Sequence, residues 1–134
     1  MPGQYNSAGQ ERAVLLLNGV NIVGSGSGTG VEVVDYEGHL TFLLIAGSAA
    51  GSGLLSSITI ETSDVLGSGY VTAKQGNNVV AGYAVLDTAG DPATWVQKLV
   101  IPKDHLKRYV RATYSFVGTN IPTWVIMLGT RKQT

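Results

Sequence analysis

The chain has 134 residues, 44% of them hydrophobic and 13% charged, with no cysteine and a formal net charge of zero. That length fits one domain with a real core, and that apolar content excludes a disordered chain. The absence of cysteine excludes disulfide stapling and thiol chemistry, while zero net charge argues against nucleic-acid binding, which usually draws on an excess of positive charge.

Residues 1–11 (MPGQYNSAGQE) are small and polar, and are expected to form a flexible N-terminal arm ahead of a domain over 12–134. No basic segment followed by an apolar run is seen there, so no signal peptide is expected. Arg12–Asn18 and Val20–Val23 read as strands joined at Asn18-Gly19, a dipeptide suited to tight hairpins. Gly24–Gly30 (GSGSGTG) reads as a loop, Val31–Tyr36 as a strand, Glu37-Gly38 as a turn and Leu40–Ala46 as a long apolar strand. Gly47–Gly53 is a second glycine loop. Leu54–Thr62 alternates, with Ile58 and Ile60 opposed to Thr59 and Glu61. Gly69–Lys74 and Val79–Leu86 are further strands around a turn at Gln75–Asn78, and Thr94–Ile101 follows. Pro102–Leu106 has room for one helical turn. In Tyr109–Val117, Val110, Ala112, Tyr114 and Phe116 oppose Arg111, Thr113 and Ser115, the period-2 signature of a half-buried strand. Thr123–Leu128 ends the series. No segment keeps helical spacing over three turns, so the expected fold is an all-β, jelly-roll-like antiparallel sandwich. The apolar runs Leu40–Gly47 and Trp124–Gly129 are too short to span a bilayer, and no membrane partner is expected.

The charges are unevenly placed. Through Gln97, eight acids stand against Arg12 and Lys74; from Lys98 on, seven basic residues stand against Asp104. One reading pairs the two halves within the fold. The other sets a basic face on an acidic partner.

Catalytic signals are missing. Gly24, Gly26, Gly28 and Gly30 recur at every second position, lack a following Gly-Lys-Ser/Thr, and open no helical pattern, so loop flexibility is preferred to a phosphate cradle. His39 and His105 have no metal-ligand spacing and read as surface histidines. No serine stands in a G-x-S-x-G elbow. Asp64, Asp87 and Asp91 flank turns, where Asp and Ser cap backbone groups more often than they form a glycosidase pair. Trp95, Trp124, Tyr70, Tyr83, Tyr109, Tyr114 and Phe116 fall in strand-like segments, and core packing is favoured for most of them over sugar stacking. No enzyme activity, cofactor or metal is expected.

Leu99–Lys132 (LVIPKDHLKRYVRATYSFVGTNIPTWVIMLGTRK) is an apolar strand ending at proline, a polar connection, an Arg-Tyr-Val-Arg-Ala-Thr-Tyr strand, a Gly-Thr turn and a final apolar strand. It resembles the C-terminal half of tailed-phage capsid decoration (cement) proteins of jelly-roll fold. Val34–His39 (VDYEGH), the apolar strand and glycine loop after it, and Ile58–Asp64 (ITIETSD) are similar to their N-terminal half. The resemblance covers residues 12–132 as a pattern of strands and turns. It implies a structural virion protein, made in the host cytoplasm, that binds the major capsid protein on the outside of the assembled shell as a homo-oligomer, dimer or trimer. Gln4, Tyr5 and Asn6 of the arm and Lys103, Lys107, Arg108, Arg131 and Lys132 are the expected interface residues. A tail or head-fibre domain and a carbohydrate-binding β-sandwich module remain the alternatives.

Overall fold

The computed structural model describes residues 11–19, 25–46, 54–75, 78–79, 83–84, 95–117 and 122–132. The strands are β1 (Glu11–Gly19), β2 (Ser25–Ser27), β3 (Val31–Glu32), β4 (Tyr36–Ala46), β5 (Leu54–Ser63), β6 (Val71–Thr72), β7 (Lys74–Gln75), β8 (Asn78–Val79), β9 (Tyr83–Ala84), β10 (Trp95–Pro102), β11 (Tyr109–Val117) and β12 (Thr123–Arg131). A single 3-10 turn, Lys103–His105, follows β10, where one helical turn was expected.

Two antiparallel sheets form a sandwich. The first has the order β1-β12-β4-β10; the second runs β2-β11-β5-β6, with β3 also on β11 and β9 also on β5. The chain crosses repeatedly between the sheets, and its first and last strands are neighbours. This is jelly-roll connectivity. Alternation puts Leu40, Phe42 and Leu44 of β4, Val125 and Met127 of β12 and Ile101 of β10 against Ile58 and Ile60 of β5 and Val110 and Ala112 of β11, all with no exposed surface. β1 adds two consecutive leucines. Its register passes from Leu15↔Ile126 to Leu17↔Val125, so Leu16 is the extra residue of a bulge, and both Leu16 and Leu17 are buried.

Three local expectations are corrected. Asn18 and Gly19 do not turn a hairpin; they continue β1 opposite Trp124 and Thr123. Glu37-Gly38 is not a turn, which falls instead at Val34-Asp35. Gly38, at φ 76°, lies within β4 where its register on β12 jumps from Thr41↔Leu128 to Glu37↔Thr130. A positive φ there lets the longer side of the bulge fold back without a Cβ clash. The glycine-rich stretch after residue 24 is not wholly a loop, because Ser25–Ser27 pairs with Ser115–Thr113. Gly26 leaves room for the Tyr114 ring, whose hydroxyl would stand 2.6 Å from an added Cβ. Gly28 donates its N–H to the Ala112 carbonyl (2.8 Å), and any Cβ on it would collide with the Leu16 carbonyl. Both glycines are needed where the edges of the two sheets meet. Glu11, expected to end the arm of residues 1–11, belongs to β1; the rest of that arm, like the loop expected over 47–53, lies outside the described residues.

Candidate functional site

Each sheet turns one side to the core and the other outward, so the register gives both outer surfaces row by row. On β11 and β5 the outward positions include Arg111, Thr113, Glu61 and Thr59. Glu61 organises this surface. Its Oε1 accepts from Arg111 Nε at 2.8 Å and from the Thr113 hydroxyl at 2.7 Å, while the Arg111 guanidinium lies 3.9 Å from the centre of the Tyr70 ring. Tyr70 in turn donates its hydroxyl to the Leu66 carbonyl at 2.7 Å. Burial raises the Tyr70 pKa, with the nearby Arg111 charge partly opposing that rise. At the sheet edge, Val65 and Leu66 are exposed in the turn before β6, and Val71 is exposed on β6 itself. At that turn the Ser63 hydroxyl accepts from the Val65 N–H at 3.0 Å, the backbone-capping role expected of Ser and Asp there. Asp87 and Asp91 lie outside the described residues.

The outer surface of the first sheet has opposite chemistry. Across β1, β12, β4 and β10 the first outward row is Asn18, Trp124, Ile45 and Val96, and the second is Leu15, Ile126, Leu43 and Lys98. The third is Ala13, Leu128, Thr41 and Val100. Nine of these twelve positions are apolar, and Lys98 holds the only formal charge. Val96 is 58% exposed, Leu15 47% and Leu128 37%, values that mark a face open to solvent and not a second core. Trp124, one of the aromatics for most of which core packing was favoured, is an outward residue on this face, half-buried among its strand neighbours. The face ends at a shallow concavity of ≈490 Å³ lined by Glu11, Arg12, Ala13, His39, Leu128 and Thr130. A smaller cleft of ≈380 Å³ opens between β1 and β2, floored by Leu16, Gly28 and Tyr114.

No protein-family model, curated protein or solved structure matches the chain.

The charge asymmetry resolves in part within the fold. Arg108 Nε meets Glu32 at 2.6 Å, Arg111 meets Glu61 at 2.8 Å and Arg131 meets Asp35 at 3.5 Å, each pair joining the basic C-terminal part to the acidic N-terminal part. The segment around Asp35 is also held by its backbone: Val33 donates to the Arg108 carbonyl (2.9 Å) and Lys132 to the Asp35 carbonyl (2.6 Å). The bond to Glu32 raises the Arg108 pKa. Among the expected interface residues, Arg108 and Arg131 are thus neutralised by acids of their own chain. Lys107 and Lys132 are exposed and Lys103 is half-buried, and among the described residues none of the three makes an ion pair. Gln4, Tyr5 and Asn6 lie outside the described residues.

His39 is exposed on β4 and His105 is exposed in the 3-10 turn. Among the described residues no group of three His, Cys, Asp or Glu side chains is placed to hold a metal ion. Tyr109 and Tyr114 are half-buried, and the side chains of Trp95, Tyr83 and Phe116 lie outside the described set. Sequence reasoning missed the apolar face, although its signal was present. Leu40–Ala46 and Trp124–Leu128 are nearly unbroken apolar runs, the pattern of strands meant to be covered on both sides.

Proposed function

We propose that the chain is a structural virion protein that binds the outside of an assembled phage capsid and stabilises it. The observation that carries this reading is the open apolar face of the β1-β12-β4-β10 sheet. Soluble monomers rarely leave so many contiguous apolar side chains in water, and such a patch marks a surface that is covered in use. The jelly-roll connectivity and the resemblance of Leu99–Lys132 to decoration proteins support the same reading. Internal neutralisation of Arg108, Arg111 and Arg131 favours a part held by shape and apolar contact over one held by a charged ligand. Lys103, Lys107 and Lys132 are left as polar contacts to an acidic shell, where exposed charges act mainly on association rate and salt dependence. Repeated sites on a shell add avidity to weak single contacts.

The test is co-sedimentation with empty shells of the phage that encodes the protein, followed by thermal melting of the decorated shells. Saturable binding at a fixed number of copies per capsomer, with a raised shell melting temperature, is expected. Absence of binding by the full chain sinks the assignment. Deleting residues 1–10, which stop just short of β1, is expected to weaken shell binding and leave the circular dichroism spectrum unchanged; equal binding removes the arm from the interface.

A further inference from the structure

We infer that the apolar face of the β1-β12-β4-β10 sheet is covered by the same face of a second copy of this chain, in a closed two-fold dimer. This rests on the functional reading only in taking the face as an assembly surface; with a second copy covering it, the shell is met by surfaces other than this face.

Size is the first argument. Four strands about 4.8 Å apart and four outward rows about 6.8 Å apart give a footprint of about 500 Å² per copy, or about 1,000 Å² for a facing pair before side-chain relief is counted, which reaches the scale of a specific interface. The fourth row in that count is the polar rim of Glu11, Thr130 and Glu37, with His39 beside it, so the apolar centre is bordered on that side by groups able to stay wet.

Charge is the second argument, and it selects the geometry. No acid stands in the three apolar rows, so the centre of the face offers a basic partner nothing to pair with, and the one cation of those rows lies at the β10 edge. A two-fold axis running across the strands, through the row that holds Lys98, would stack the two Lys98 ammonium groups on each other. An axis parallel to the strands carries β10 of one copy over β1 of the other. Lys98 then lies along Leu15 of the second copy with its ammonium at the rim, and the two lysines stand at opposite edges. The same operation sets Trp124 over Ile45, Ile126 over Leu43 and Leu128 over Thr41 at the centre, where aromatic and aliphatic anchors contribute most. Two sheets packed this way keep their strands aligned, as sandwich sheets do.

Light scattering on the isolated full chain at micromolar concentration is expected to give twice the chain mass. Leu128→Glu and Val96→Glu alter exposed side chains, so the fold survives, checked by circular dichroism; each is expected to raise the dimer dissociation constant at least about a hundredfold by burying a carboxylate with no cation opposite it. Lys98→Leu is expected to leave the dimer intact or tighten it, and Val65→Glu, at the edge of the other sheet, is expected to leave it unchanged. A monomer or a trimer from the unaltered chain overturns the inference, as does a dimer that persists in both Leu128→Glu and Val96→Glu. Shell co-sedimentation plays no part in these measurements, so the pairing and the capsid assignment can fail separately.

Discussion

On the outward side of β11 and β5, Arg111, Thr113, Thr59 and Glu61 are hydrogen-bonded or charged, and the alternate positions Val110, Ala112, Ile58 and Ile60 are core. On the outward side of β12 and β4, the matching positions are Trp124, Ile126, Leu128, Leu43 and Ile45, while Val125, Met127, Phe42 and Leu44 are core. Both sheets are antiparallel and both cover the same interior. The difference lies entirely in what each expects on its far side. A sheet that faces water alternates apolar and polar residues; a sheet whose second face is also to be covered does not. Strand periodicity therefore reports what the outer side of a sheet presents as well as the fold of one chain.

The deepest break of this comparison goes through the core that both faces share. Phe42 is fully buried on the inner side of β4. Phe42→Ala is expected to lower stability by about 3–5 kcal/mol, through lost burial and a residual cavity. Chemical denaturation should show one cooperative transition lost from both sheets together. Two separate transitions would mean that the sheets do not form one unit.

On the polar face, Glu61→Ala removes the acceptor of both Arg111 and Thr113 and leaves a half-buried guanidinium against the Tyr70 ring. A loss of about 1–2 kcal/mol is expected in urea unfolding, with a smaller loss for Glu61→Gln, which keeps an acceptor. The exposed pair Arg108–Glu32 offers a contrast on the same side of the molecule. Arg108→Ala is expected to unfold indistinguishably from the unaltered chain, since solvent screens an ion pair at that exposure.

On the apolar face the expectation reverses. Leu128→Thr, at a site 37% exposed, is expected to change the stability of the isolated chain by less than about 0.5 kcal/mol. It is nonetheless expected to reduce binding of a hydrophobic dye and retention on a hydrophobic column. A residue that matters little to folding and much to surface behaviour belongs to an interface.

The period-2 alternation of Ile58–Thr62 and Val110–Ser115 was enough to place β5 and β11 and to name their inward residues, and the strands around them give the all-β sandwich. What sequence reasoning missed were the places where backbone contacts override local rules. Asn18-Gly19 has hairpin chemistry, yet pairing with Thr123 and Trp124 of a strand more than a hundred residues away keeps it extended. The glycines at 26 and 28 are spaced like one face of a strand, and that face is bare because the Tyr114 ring and the Leu16 carbonyl occupy the space. The ion pairs of Arg108, Arg111 and Arg131 follow from the charge asymmetry in kind, but only the register tells which acid each one meets. The candidate surface needed β1, β4, β10 and β12 side by side before its rows became visible.

The smallest expected effect is a titration on the polar face. Burial raises the Tyr70 pKa above its ordinary 10.0, Arg111 pulls it down, and Tyr109 and Glu61 add to the rise. The fold therefore favours the neutral phenol. Its contribution is complete below the ordinary value, where folded and unfolded chains both hold the proton. It declines as pH rises past that value, because the unfolded chain releases its proton first and the imbalance grows until the folded group ionises too. Tyr70→Phe keeps the ring against which Arg111 lies and removes the ionising hydroxyl with its bond to Leu66. Unfolding free energies measured from about pH 8 to about pH 11 should fall less steeply for Tyr70→Phe than for the unaltered chain, while lysine ionisation contributes equally to both. Parallel curves would place the Tyr70 hydroxyl in bulk water. The polar face would then be held by Glu61, Arg111 and Thr113 without the tyrosine's proton.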